Sequence, residues 1–303
     1  MRNKNYFYFL LIILGLSSCI GAKKMGKASV KLNSLNSLHN AESNKVASIT
    51  SISNAKLAER KIDSNINNRI QQRLSVIQHE LDSIKKQMDN LKNLTANKGD
   101  FRKAYKKEIV PKLAQLDTFY KRYEDRMKTY LMLEDGLNTA NYVLFDLAAF
   151  FGPGVYSIPP GKEQLAAISF LPMVDSLISF SNKYQDKSRT ATLIILGFAD
   201  GQNVNLESAL HDTLTVMLQN TNNSKEVLNK KISELRAVEL IKQLTTLFKQ
   251  KVAEIKNIDQ LNVEYIGQGK GEEFPIPSIK DYKEDDERRR VVLCYWTVLP
   301  NLP

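Results

Sequence analysis

From Ile70 the apolar positions fall at Ile70, Leu74, Ile77, Leu81, Ile84, Met88 and Leu91, alternating steps of four and three that mark a heptad seam on a long helix. A second run, Ile109, Leu113, Leu116, Tyr120, Tyr123, Met127 and Tyr130, repeats the alternation, and Asn97-Lys98-Gly99-Asp100 supplies turn residues between the two. Two such helices on a short loop predict an antiparallel helical (coiled-coil) hairpin over residues 59–135, each seam burying the other. Pro111 suits a first turn, so the second helix is expected to begin there.

Beyond residue 140 the pattern changes to short apolar runs alternating with helical spacing. Tyr142 to Leu147 predicts a buried strand, ended by Phe151-Gly152-Pro153-Gly154. Pro159-Pro160-Gly161 precedes a helical series at Leu165, Ile168, Leu171, Val174 and Ile178, and Thr190 to Leu196 reads as a second strand closing on Gly197-Phe198-Ala199-Asp200-Gly201. A short amphipathic segment (Leu206, Leu210, Leu214, Met217) runs into the polar turn Asn220-Thr221-Asn222-Asn223. A longer helix is expected from about Asn229 to Lys256, then strands at Leu261 to Ile266 and Val291 to Val298. The order βαβ(α)αββ over 141–303 predicts an α+β sandwich, one sheet with helices on one face, carrying an insert at about 205–225.

The first residues add a location. Arg2 and Lys4, an apolar run from Tyr6 to Leu16, and then Ser17-Ser18-Cys19 have the layout of a secretory signal, and the small residues ahead of Cys19 resemble a bacterial lipobox. On that reading 1–18 is a signal peptide and Cys19 is acylated, palmitate included, and becomes the first mature residue. Residues 19–58 are rich in Ser, Asn, Lys and Ala, which predicts a flexible tether.

Composition narrows the function. The 303 residues carry 43 Lys+Arg against 33 Asp+Glu, a formal charge of +10 that drops to +8 once Arg2 and Lys4 are removed. The basic residues are spread along the chain, and Arg288-Arg289-Arg290 follows the acidic run Glu284-Asp285-Asp286-Glu287, so nucleic acid is not an expected partner. Of two cysteines, Cys294 lies in the apolar run Val291 to Val298 and reads as a core residue. His39, His79 and His211 are scattered, no Gly-rich phosphate loop is present, and no nucleophile has a base beside it. Neither metal, cofactor nor enzymatic activity is expected.

Four motifs stand in order: Gly197-Phe198-Ala199-Asp200 after a strand, Asn229 through Val238 (NKKISELRAV) on a helix, Gly269-Lys270-Gly271-Glu272-Glu273-Phe274-Pro275, and Arg288-Arg289-Arg290-Val291 before the last strand. Together they resemble the OmpA-like C-terminal domain, the peptidoglycan-binding module of outer-membrane proteins and lipoproteins, over roughly residues 141–300. The resemblance implies an outer-membrane lipoprotein facing the periplasm and binding the zwitterionic diaminopimelate end of the stem peptide. Asp200 would take the ammonium and Arg236 the carboxylate, bidentately. The N–H groups of Ile232 or Ser233 at a helix start would assist, Asn229 would orient the loop or bond the peptide, and Arg290, sharing a strand face with Arg288, would face the site. The chain departs from the family in the 36 positions between Asp200 and Arg236, which place the insert beside the pocket. A different reading therefore stands beside the first: wall binding lost, with the hairpin docking on an envelope protein or on a second copy.

Overall fold

The computed structural model describes the backbone of residues 4–139, 141–145, 151–220 and 223–301, and the side chains within those ranges from residue 21 onward except 141–145. Residues 1–3, the side chains of the rest of the leader 1–18 and of Cys19, the end of the first expected strand at Asp146 and Leu147, and Thr221 and Asn222 of the polar turn lie outside the described residues. The chain is α+β and divides into two units, residues 1–51 with 68–131, and residues 52–67 with 132–303.

The first unit is helical. Its elements are α1 (Lys4–Ala58), α2 (Ser64–Ala96), α3 (Lys98–Ala104), a π-helical turn (Tyr105–Ile109), α4 (Val110–Tyr120) and α5 (Tyr123–Thr139), several of which continue into the second unit. Asn97 starts the return arm as expected, its side chain accepting from the N–H groups of Gly99 and Asp100. Pro111 sits at the start of α4, but the chain is already helical before it. The π turn directly ahead, closed by Val110 N–H onto Tyr105 O, takes up the register change that the missing proline N–H requires.

The flexible tether expected over 19–58 is corrected: those residues belong to α1. Ala28, Leu32 and Leu35 of α1 share one apolar cluster with Ile84, Met88 and Leu91 of α2 and with Phe101, Ile109, Leu116 and Tyr120 of the return arm. The two-helix hairpin thus has a third helical layer. The physical reason is that α1 carries its own seam, at Ala28, Leu32, Leu35, His39, Glu42, Val46 and Ile49, all buried.

Two of those seam positions are polar and paired. Glu42 is fully buried and receives Arg126 Nε at 2.6 Å, Arg126 Nη2 at 2.7 Å and the Tyr130 hydroxyl at 2.9 Å. His39 Nδ1 lies 3.2 Å from the Tyr120 hydroxyl and Nε2 3.4 Å from Ser43 Oγ. Burial, seconded by Lys85, holds its pKa below the usual 6.5 against the opposing pull of Glu42, Asp82 and Asp89. The fold therefore favours neutral His39, and its contribution to stability is complete above pH 6.5 and is lost as pH falls below that value through the lower folded pKa. The urea midpoint of this unit should drop as pH falls below 6.5, and His39→Gln should remove that part of the drop. An identical pH profile in the variant would dismiss the residue as its source.

The second unit holds β1 (Asn141–Phe145), α6 (Glu163–Lys183), β2 (Arg189–Gly197), α7 (Ala209–Leu218), α8 (Lys225–Gln250), β3 (Leu261–Gly269) and β4 (Val292–Pro300). The sheet order is β1-β4-β2-β3, with β2 and β3 parallel and β4 antiparallel to both of its neighbours. Ala191, Leu193 and Ile195 of β2 stand opposite Val298, Trp296 and Cys294 of β4, and all six join Phe170, Val174 and Leu177 of α6 and Ala237, Leu240 and Leu244 of α8 in one core. By length and apolarity α6 would suffice to cross a membrane, yet Phe170 and Leu177 on it are fully buried in this core. Cys294 is likewise enclosed, and burial pushes its thiol far up from the ordinary range.

Close approach of α8 to the sheet fixes everything that follows. A Cβ on Gly197 would lie 2.0 Å from the Ser233 carbonyl oxygen, and one on Gly269, its register partner on β3, 2.6 Å from Glu234 N. Two glycines side by side form a saddle into which the Ser233 turn settles.

Candidate functional site

The saddle places the middle of α8 against the end of β2. Asn229, Ser233 and Arg236 follow one another at helical spacing on the buried face, 2%, 0% and 0% exposed. Around them the chain ends are pinned by backbone hydrogen bonds: Lys270 N–H to Gly197 O (2.8 Å), Ala199 N–H to Gly271 O (2.8 Å), Phe198 N–H to Val291 O (3.1 Å) and Gly201 N–H to Glu284 O (2.6 Å). All four of the sequence motifs therefore meet at one end of the sheet.

Within that end the charges arrange themselves differently from the expected acid and base on either side of an opening. Asp200 is 4% exposed, and its Oδ2 receives Arg290 Nε at 2.5 Å; Arg290 Nη2 also reaches Asp285 O at 3.1 Å. Among the described residues Arg236 contacts no carboxylate. Its Nη1 donates to Phe198 O (2.7 Å), its Nε to Val155 O (3.0 Å) and its Nη2 to Gly152 O (3.4 Å), and the guanidinium lies 5.3 Å from the Phe151 ring centroid. Burial lowers its pKa to about 10, with Asp200 opposing the shift and Arg290 adding to it, so the group stays charged at neutral pH. Asp200, Arg236 and Arg290 are thus brought together electrostatically, but the site is closed by the segment 151–156 and by the loop before β4.

Asn229 and Ser233 serve that closure. Asn229 Nδ2 donates to Gln202 O (3.0 Å) and to Glu272 Oε1 (2.8 Å); Ser233 Oγ donates to Lys230 O (2.7 Å) and accepts from Gly271 N–H (2.8 Å). Both hold the neighbouring loops, Asn229 at Gln202 and Glu272 and Ser233 at Gly271, and neither bonds to the charged trio. Ile232 and Ser233 are not at a helix start: α8 begins at Lys225, capped by Ser224, so their N–H groups are spent in the helical ladder. Arg288 and Arg290 do not share a strand face either, because Glu287–Arg289 is a 3₁₀ turn that ends before β4 and is capped by Asp286. Arg288 is left half-exposed against Asp286 and Asp281, while Arg289 and Arg290 are buried.

Two residues outside the expected site, Arg289 of the fourth motif and Lys225, complete the frame. Arg289 donates through Nη2 to Glu272 O (2.5 Å) and through Nη1 to Lys283 O (3.2 Å), with Phe274 stacked over its guanidinium at 5.2 Å. Lys225 Nζ bridges Gly201 O (2.9 Å) and Glu284 Oε1 (2.6 Å). Only the odd density of basic residues in the RRR run hinted at the first; nothing local marked the second.

The insert is α7, and its placement answers what it does to the pocket. Leu214 packs with Leu228 and Ile232 of α8, and Tyr156, Leu210 and Leu218 join the same cluster. A Cβ on Gly154, whose φ of +69° suits glycine, would meet Leu210 at 2.6 Å. The α7 segment therefore braces the very loop whose carbonyls cover Arg236. Among the described residues no group of three or more His, Cys, Asp or Glu stands close enough to hold a metal ion.

No family model matches the chain, and no curated protein matches it. Among solved structures it is similar to the crystal structure of a protein described as MotB-like from Desulfovibrio vulgaris, at 15% identity and a TM-score of 0.28, covering 52% of this chain and 74% of that one.

Proposed function

We propose that the second unit is an OmpA-like module that binds peptidoglycan noncovalently, on a lipoprotein anchored in the outer membrane through Cys19, and that the closed site is its resting form. Arg236 carries this reading. A guanidinium held wholly inside the protein, charged and without a contacting carboxylate among the described residues, is costly to keep and is rarely the best choice for stability alone. Its three hydrogen-bond partners among the described residues are backbone carbonyls, of which those of Gly152 and Val155 belong to the covering segment. Movement of that segment frees two donors of the fork for the carboxylate of diaminopimelate, and exchange of Arg290 for the ligand ammonium frees Asp200. The role is binding, not catalysis: the Ser233 hydroxyl is committed on both sides, and the Cys294 thiol is protonated in the core.

The unlipidated mature chain should pellet with insoluble peptidoglycan sacculi, and free meso-diaminopimelate should compete. Arg236→Lys keeps the charge but loses the fork, and Asp200→Asn keeps the shape but loses the charge. Each removes a charge-assisted hydrogen bond of about 1.5–3 kcal/mol, a loss of roughly tenfold or more in affinity with an unchanged circular dichroism spectrum. Unaltered pelleting by both variants would refute the site.

The full burial of Asp200 and Arg236, with α7 bracing the cover, favours a second reading, in which wall binding is lost and the helical unit docks on an envelope protein or on a second copy. Failure of the wild-type chain to pellet, together with a partner or dimer crosslinked through α2 to α5, selects it.

A further inference from the structure

One end of the helical unit is strongly basic, and it is the end at which α1 emerges from the leader. Gly21 and Arg102 adjoin, a Cβ on Gly21 lying 3.7 Å from Arg102 Nε; Lys24 Nζ sits 5.4 Å over the Tyr105 ring; and Lys31 pairs with Asp117. These three contacts run the start of α1 alongside the stretch from α3 to α4, so Lys23 and Lys27 share a surface with Arg102, Lys103, Lys106 and Lys107. All six are exposed, and none enters an ion pair among the described residues. Beneath them Met25, Ala28, Ala104 and Tyr105 pack in the unit's apolar cluster, which fixes the basic stems in place.

We propose that this end of the bundle is a docking surface for an anionic phospholipid bilayer. Lys23 lies four helical positions beyond Cys19, about 6 Å along the axis, so an acyl anchor at that cysteine sets the near end of the patch within a Debye length of the headgroups. A basic patch beside the anchor adds attraction with each Lys or Arg held near an anionic surface. The choice of a bilayer over an anionic polymer rests on this adjacency, and hence on the lipoprotein reading of Cys19; the docking itself can be measured without the lipid.

The chain from residue 20 onward contains every buried residue described in either unit, the first being Ala28. This unlipidated protein is floated with phosphatidylcholine vesicles containing or lacking about 30% phosphatidylglycerol, at about 50 mM and 500 mM NaCl. Binding is expected to the phosphatidylglycerol vesicles alone and to vanish at high salt. Reversing Lys23, Lys27, Arg102 and Lys106 to Glu should weaken it at least tenfold, while reversing Lys242, Lys249, Lys256 and Lys280 in the other unit leaves it within twofold. Equal loss in both variants, salt-insensitive binding to neutral vesicles, or capture by soluble polyglutamate with none by vesicles would each overturn the proposal. Asp200→Asn and Arg236→Lys should float normally, and the fourfold patch variant should still pellet with sacculi, so failure here and failure of the wall-binding reading are told apart.

Discussion

Gly197→Ala is expected to lower the thermal midpoint of the second unit by roughly 6 to 12 °C, followed through the fluorescence of Trp296, the chain's one tryptophan and a residue of that unit's core. The new methyl would stand 2.0 Å from the Ser233 carbonyl oxygen, 3.0 Å from its carbon and 3.2 Å from Ala237 N, all backbone, so α8 must lift off the sheet. Overpacking of that kind costs about 3 kcal/mol or more. Gly269→Ala should come next, since Glu234 N lies at 2.6 Å and Ser233 Oγ at 2.5 Å. Gly267→Ala should be the mildest, because its nearest neighbour at 2.9 Å is a terminal methyl of Ile241 that can rotate away. A lifted α8 would also misplace Arg236, so Gly197→Ala should weaken sacculus binding below its unfolding temperature. If Gly267→Ala proved as damaging as Gly197→Ala, the saddle would not be what seats the helix.

The second large effect concerns Glu42. Replacing it by Gln, or Arg126 by Met, leaves one partner of a buried pair without its counter-charge, which should destabilise the helical unit by about 3–5 kcal/mol. Joint replacement, Glu42→Leu with Arg126→Met, removes both charges and should recover most of the loss, since an apolar pair of similar volume is often neutral in such a place. Part of the cost will persist because Tyr130 then loses its acceptor and Arg126 its stacking over Phe119 at 4.1 Å. Urea titrations followed by far-UV circular dichroism give the double-mutant cycle directly. Additive losses would mean that the two side chains are not coupled.

The same residue explains what the sequence concealed. α2 and the return arm announce themselves because their seams are almost wholly apolar, but the α1 seam includes Ala28, His39 and Glu42, small or polar side chains that hydrophobic spacing does not register. A composition of Ser, Asn, Lys and Ala then reads as a tether. The missing signal was a partner: Glu42 is tolerable inside only because Arg126, 84 residues away, reaches it. In the second unit the order of strands and helices was legible, since buried strands are continuous apolar runs and glycine and proline mark their ends. The site was legible as residues and not as geometry. Asp200, Asn229, Ser233, Arg236 and Arg290 do converge, but whether Asp200 faces a ligand or Arg290 depends on a turn capped by Asp286, and whether Arg236 is open depends on carbonyls some 80 positions earlier.

The position of β4 has a bearing on biogenesis. In the order β1-β4-β2-β3 the strand formed by residues 292–300 lies between β1 and β2, so until it has been made β1 has no neighbour in the sheet and the core lacks Cys294, Trp296 and Val298. A nascent chain can assemble its helical unit while the sheet still waits for residues more than 100 positions further on. The second unit therefore closes its core only once the chain has been made as far as β4.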